Sequence, residues 1–156
     1  MSVFLGTHQN RLDAKGRVSI PAGFRAILRA QATEAQPGDS LLVLRQSPKH
    51  PCIEAWPMPA FLALGPALNQ LDTFSDDQED MALSLYGDAY PVDPDKEGRI
   101  MLPEPLATHA GLFESVAFMG LGRHFQIWEP AAAQRRLVDA RARARGVTVP
   151  AAGAAS

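Results

Sequence analysis

The chain has 156 residues, 46% of them apolar and 21% charged, and a net charge of −2. That is room for one ordinary domain, or for two small ones sharing a core, and the balance excludes a uniformly basic nucleic-acid binder. Cys52 is the sole cysteine, so no intramolecular disulfide can form and a reducing compartment is the simplest expectation.

The apolar runs, such as residues 60–64, are too short to span a bilayer. The opening MSVFLGTHQN lacks the basic start and apolar run of a signal peptide. A cytoplasmic protein is therefore expected. Charge is unevenly spread. Among the first 30 residues, Arg11, Lys15, Arg17, Arg25 and Arg29 stand against Asp13 alone, so a nearly neutral chain can still present a basic face.

Along the chain, DAKG at 13–16 suits a tight turn. The Asp carboxylate can cap free backbone N–H groups, and Gly tolerates positive φ. Residues 17–20 then alternate as a half-buried strand should, with Val18 and Ile20 inward and Arg17 and Ser19 outward. Pro21 ends the strand and suits the first turn of a helix. In AGFRAILRA, Phe24, Ile27 and Leu28 share an apolar face, and Arg25 and Arg29 lie on the other side. SLLVL and CIEAWP read as two more strands around a turn.

Residues 58–87 read as a helical hairpin. Leu62, Leu64, Leu68 and Leu71 supply one apolar face, and Met81, Leu83, Leu85 and Tyr86 another. The acidic run Asp72, Asp76, Asp77, Glu79 and Asp80 suits a helix N-terminus and its dipole better than a metal.

The first pattern then recurs. Moved by 82 positions, Asp13 falls on Asp95, Gly16 on Gly98, Arg17 on Arg99, Pro21 on Pro103 and Phe24 on Leu106. SVAFMG and FQIWEP echo the earlier strands, and Trp56 and Trp128 take equivalent places that suit core packing rather than base stacking. A half of this size would struggle to bury enough surface alone. The expected architecture is an α+β, pseudo-two-fold barrel in which each half completes the other. It divides into a first repeat (5–57), a helical insert (58–87), a second repeat (88–131), a C-terminal helix rich in Ala and Arg (132–146) and a disordered tail (147–156).

The stretches FLGTHQNRLDAKGRVSIPAGFR, DKEGRIMLPEPLATHAGL and FQIWEP resemble the MraZ family of bacterial transcription regulators. The resemblance covers roughly residues 3–145 and rests on the duplicated D-x-x-G-R-x-x-x-P motif. It implies two tandem AbrB-like swapped-hairpin repeats forming one small barrel flanked by helices, and ring-shaped homo-oligomers. It also implies binding to double-stranded DNA at short, repeated G-rich boxes upstream of the division and cell-wall gene cluster. The location would then be cytoplasmic and nucleoid-associated. The family's D-x-x-x-R contact motif falls on Asp13 and Arg17, and on Asp95 and Arg99. Two positions depart from the pattern. Glu97 stands where a basic or neutral residue often precedes Gly, and Ala107 stands where Arg25 keeps an arginine in the first copy. The first repeat is thus expected to carry more of the DNA affinity.

The chemistry agrees with that implication. Arg matches both a phosphate and the paired acceptors of guanine, and a twisted two-stranded ribbon can enter the major groove. Asp13 and Asp95 would orient these arginines or cap the turns, and Lys15 and Arg25 would add phosphate contacts that position without specifying. The plain alternative is a local surface ion pair worth about 0–1 kcal/mol.

Other chemistries find little. His8, His50, His109 and His124 are scattered, without a second cysteine to complete a zinc site. Cys52 suits a buried apolar thiol, and no acid–base pair or nucleophile marks an enzyme. No cofactor, membrane partner or small-molecule substrate is indicated. The rival class is an AbrB-type antitoxin or other protein-interaction module. The two repeats, the helical insert and the short tail disfavour it.

Overall fold

The computed structural model describes residues 3–32 and 38–151. Its elements run β1 (Thr7–Arg11), β2 (Arg17–Ser19), α1 (Ala22–Gln31), β3 (Leu42–Gln46), β4 (Ile53–Pro57), α2 (Met58–Leu62), a 3₁₀ turn (Gly65–Gln70), α3 (Asp76–Ala82) and a π turn (Leu83–Gly87). Then follow β5 (Tyr90–Val92), β6 (Arg99–Met101), α4 (Glu104–His109), β7 (Ser115–Gly120), β8 (Phe125–Trp128) and α5 (Pro130–Ala144). No helix among the described residues is long and apolar enough to cross a membrane.

The class is α+β, as the sequence predicts. Six strands form one antiparallel sheet in the order β1-β7-β8-β4-β3-β5, and β2 and β6 form a separate two-stranded ribbon. The sheet is open: β1 and β5 are its two edges, and the pairing does not run on into a closed barrel. Exchange of the two halves (β1 for β5, β2 for β6, β3 for β7, β4 for β8) turns the strand order into its own reverse. A pseudo-two-fold axis therefore passes through the Val18–Ile100 pair of the ribbon and the Glu54–Gln126 pair of the sheet. Four of the six strand pairings join the first half to the second.

The ribbon and the inner sheet face enclose the main core. Val18 and Ile20, expected inward, are 1% exposed, and they meet Ile100, Ile53, Phe125 and Ile127. From α1, Phe24 and Leu28 are buried and Ile27 packs at the margin, which is the face its 3–4 spacing predicts. Phe24 stands edge-on to Phe4 (5.1 Å) and near Phe125 (4.9 Å), so the N-terminal segment and α1 lock into one aromatic cluster.

The outer sheet face is covered in two pieces. The insert sets Phe61, Leu68 and Leu85 against Val43 and Trp56, and α5 sets Ala133 and Leu137 against Ala117, Met119 and Trp128. Both tryptophans are thus packing residues.

Several elements differ from expectation. β1 (THQNR) and β5 (YPV) show no buried alternation, because an edge strand is held by backbone pairing and its side chains stay largely in water. The helical hairpin of 58–87 is four short pieces. Gly65-Pro66 breaks the first helix, and the π turn shifts the phase of the second. Only Leu68 and Leu85 of its two predicted apolar faces are buried. Leu62, Met81, Leu83 and Tyr86 are exposed. α5 begins two residues before the expected 132, because Glu129 caps the N–H groups of Ala131 and Ala132 and Pro130 takes the first helical position. Of the tail, residues 147–151 are exposed chain without regular structure, and 152–156 lie outside the described residues, as do 33–37 of the first repeat.

Phe24→Ala should cost about 3–5 kcal/mol, because the cavity would open where four aromatic rings meet. A urea melt reads that loss directly, and an unchanged midpoint would refute the aromatic cluster as a stabilising unit.

Candidate nucleic-acid interface

The ribbon of β2 and β6 is too short to be held by strand propensity, and the turns before each strand do much of the work. In the first, Gly16 donates to the Asp13 carbonyl at 3.1 Å and the Asp13 N–H donates to the Arg17 carbonyl at 2.9 Å. Asp13 Oδ1 accepts from the backbone N–H groups of Lys15 (2.9 Å) and Arg17 (2.8 Å), and Oδ2 accepts from Arg17 Nε at 2.9 Å. The second turn repeats this bond for bond. Asp95 Oδ1 takes the N–H groups of Glu97 (2.9 Å) and Arg99 (3.0 Å), and Oδ2 takes Arg99 Nε at 3.0 Å. Gly16 and Gly98 have φ of 82° and 80°, a region that side chains with a Cβ enter at a cost. The two functions read for the carboxylate, capping and orienting, are thus performed by its two oxygens.

The carboxylate engages each guanidinium through Nε alone, so the Asp pairing itself leaves the terminal nitrogens unused. Among the described residues, no group of the protein bonds the terminal nitrogens of Arg17. Arg99 differs: its Nη2 is held by Glu97 at 2.5 Å. The ion pairs themselves are part-exposed, near 30% for each arginine, so solvent screens them and they stabilise little. Their consequence is orientation.

Register places the two arginines together. Ser19 pairs with Arg99 and Arg17 with Met101, so Arg17, Ser19, Arg99 and Met101 all occupy the outer face of the ribbon, opposite Val18 and Ile100. Lys15 is exposed at the tip of the first turn.

Arg25 goes elsewhere than its place in the first repeat suggests. It crosses to the second turn, where Nη1 donates to the Glu97 carbonyl at 3.3 Å and the stem lies over Gly98; a Cβ there would collide with it. Among the described residues its Nε is buried without a hydrogen-bond partner. Sequence reasoning missed two supports: exposed Lys96 in the second turn, and Asn10, whose side chain donates to the Ser19 carbonyl at 2.6 Å and ties β1 to the ribbon. Lys96 was visible as a charge but has no counterpart at Ala14. Asn10 gave no signal at all.

Elsewhere, Cys52 is fully buried, and burial pushes its thiol up to about 12, which leaves it inert at neutral pH. Asp76, Asp77 and Glu79 occupy the first turn of α3 behind a Ser75 cap, as their spacing predicts.

Residues 3–83 and 85–137 match the family model described as MraZ protein, antitoxin-like. A protein of Gluconacetobacter diazotrophicus named Transcriptional regulator MraZ is 66% identical over 153 residues, covering 98% of this chain and 95% of its own length. Proteins of the same name from Gluconobacter oxydans and Azorhizobium caulinodans are 64% and 37% identical, each over 93% of this chain and over 87% and 88% of their own lengths.

The turn chemistry carries a pH signature. The Arg17 N–H above all holds the Asp13 carboxyl below its usual range, against an opposing desolvation, and the Arg99 N–H does the same for Asp95. A depressed folded value stabilises at pH above the unfolded value, and that stability is lost as pH falls through the folded one. In urea melts, the midpoint should therefore drop from about pH 4 downward. A D13N/D95N variant should show a flatter acid limb, and equal acid limbs would contradict the turn assignment.

Proposed function

The chain belongs to the MraZ family, and from that premise we propose that it is a DNA-binding transcriptional regulator acting through the outer face of the ribbon. The family is one of transcriptional regulators and not of enzymes. The observation that carries the reading is the pair of matched turns, each fixing an arginine by Nε on one shared surface, with the outer fork open at Arg17 and shared with Glu97 at Arg99. Such a fork fits the O6 and N7 acceptors of a guanine or the oxygens of a phosphate. The ribbon would enter the major groove, with Lys15 and Arg25 on the backbone and Asp13 and Asp95 acting through their arginines. The repeated G-rich boxes, the cell-wall and division gene cluster as target, and a cytoplasmic site of action on the nucleoid are part of the same proposal.

The division into two AbrB-like repeats, an insert and a C-terminal helix belongs to it as well. The cross-half pairings support a swapped-hairpin reading, because each half finds strand partners in the other. The first repeat would bind more strongly. Glu97 already occupies part of the Arg99 fork, and nothing among the described residues does the same to Arg17. Arg25 offsets some of that difference by bringing its charge to the second turn.

A ring of copies would present many such faces in register. Phe74 supports an assembly: it is 96% exposed and sits at φ 67°, a backbone state that a non-glycine residue holds at a cost. It flanks a shallow apolar groove with Leu83 and Tyr86, beside the acidic first turn of α3. The exposed side of α5 carries Arg135, Arg141 and Val138. Acidic apolar insert against basic α5 is a head-to-tail contact, the kind that closes into rings.

Arg17→Ala should weaken binding to the DNA upstream of the protein's own gene by about 1–3 kcal/mol, and Arg99→Ala by less, in gel shifts across a salt series. Glu97→Lys should strengthen it. A folded Arg17→Ala with unchanged affinity would sink the reading. Phe74→Ser should lower the assembly's mass in light scattering while the subunit stays folded, and an intact ring would remove this contact without touching the DNA proposal.

A further inference from the structure

The two coverings of the outer sheet face do not meet. Between the insert and α5, over the pseudo-two-fold axis, lies a cleft of about 280 Å³. Its floor is Glu54 and Gln126, paired directly opposite each other on β4 and β8. Each half reaches across the axis to build a wall. The β7–β8 turn lays His124 flat on Trp56 at 3.9 Å, and the β3–β4 turn brings His50 to 5.7 Å from Trp128. The tryptophans are pinned in turn: Trp56 Nε1 donates to Glu54 at 3.1 Å, and Trp128 Nε1 to Gln126 at 2.9 Å.

Charge in this cleft is unbalanced. Its one carboxylate, Glu54, is taken up by the buried Arg45 at 3.1 Å, which is itself anchored on the Ser84 carbonyl at 2.8 Å. On the rim, the side chains of half-buried Arg136 of α5 and exposed Lys49 of the β3–β4 turn form no ion pair or hydrogen bond among the described residues. The field is felt at His50, whose pKa is lowered by burial and then by Arg136, Lys49 and Arg143, with only Glu54 opposing. His124 is lowered chiefly by burial. The lowering favours the neutral form of both imidazoles, in which a ring N–H can donate and no charge is added. A rigid aromatic wall, two side-chain cations and neutral donors around a small concavity make a site suited to an anion.

We propose that this cleft binds a small, soluble anion of the phosphate class, with the Arg136 guanidinium taking two of its oxygens and Lys49 a third. The site goes beyond the regulatory reading and does not depend on it. Phosphate could also come from a nucleic-acid backbone, but the cleft and the arginine ribbon lie on opposite faces of the six-stranded sheet, which favours a free ligand.

The test uses the full chain and pyrophosphate as probe, titrated at constant ionic strength made up with chloride. The indole N–H signals of Trp56 and Trp128 and the ring signals of His50 and His124 should shift together and saturate. Arg136→Gln should weaken that binding about tenfold or more, as expected for a lost charge-assisted pair, and Lys49→Gln by less, both with unchanged melting temperature. No saturable shift, or a shift that survives Arg136→Gln, would overturn the proposal. So would a loss of operator affinity in Arg136→Gln without pyrophosphate, which would assign the cleft to the DNA backbone.

Discussion

Neither half of this chain can satisfy its own strands. β3 and β4 pair within the first half and β7 and β8 within the second, and every other partner comes from across the axis. Backbone N–H and C=O groups left without partners in a core cost as much as a lost hydrogen bond, so exchange of strands between the halves is forced once β2 and β6 are buried on their inner side. The rest follows from that exchange: the enclosed aromatic cluster, the ribbon at one pole of the axis, and the cleft at the other.

The same exchange explains why turns so small can hold arginines in place. A two-stranded ribbon alone is marginal in water. Here it is floored by Ile20, Ile100 and Leu102, extended by the Ile20 N–H to the Gly98 carbonyl and the Leu102 N–H to the Gly16 carbonyl, and tied to β1 through Asn10. Each Asp-to-Arg turn therefore begins from a fixed backbone. The stability lives in the core, and the surface ion pair only aims a side chain. Arg25 shows the coupling in the other direction: a residue of α1 supports the turn of the opposite half.

Much of this was legible in the sequence. The duplicated turn, the inward pair Val18 and Ile20, the face of α1 and the acidic start of α3 all follow from short-range rules of spacing and turn chemistry. What stayed hidden was set at long range. β1 and β5 are edge strands with exposed side chains, so no periodicity marks them. The insert carries as much apolar surface as a buried hairpin, yet much of it, Phe74 included, faces outward. Nothing in the sequence marks that α1 brings Arg25 to the second turn, so the residue reads there as part of its own repeat. The histidines looked scattered along the chain, although two of them meet tryptophans of the opposite half across one axis.

That axis also says what is gained by carrying both copies on one polypeptide. In a symmetric pair of separate chains, any substitution appears twice and at mirrored places, so Glu54 would face another Glu rather than Gln126. Two half-buried carboxylates in that contact would repel, and two amides would leave Arg45 without its counter-ion. Covalent fusion lifts that constraint: each mated position can be filled by two different residues. The molecule keeps the economy of a duplicated scaffold while its two poles evolve independently, one side of each pair at a time.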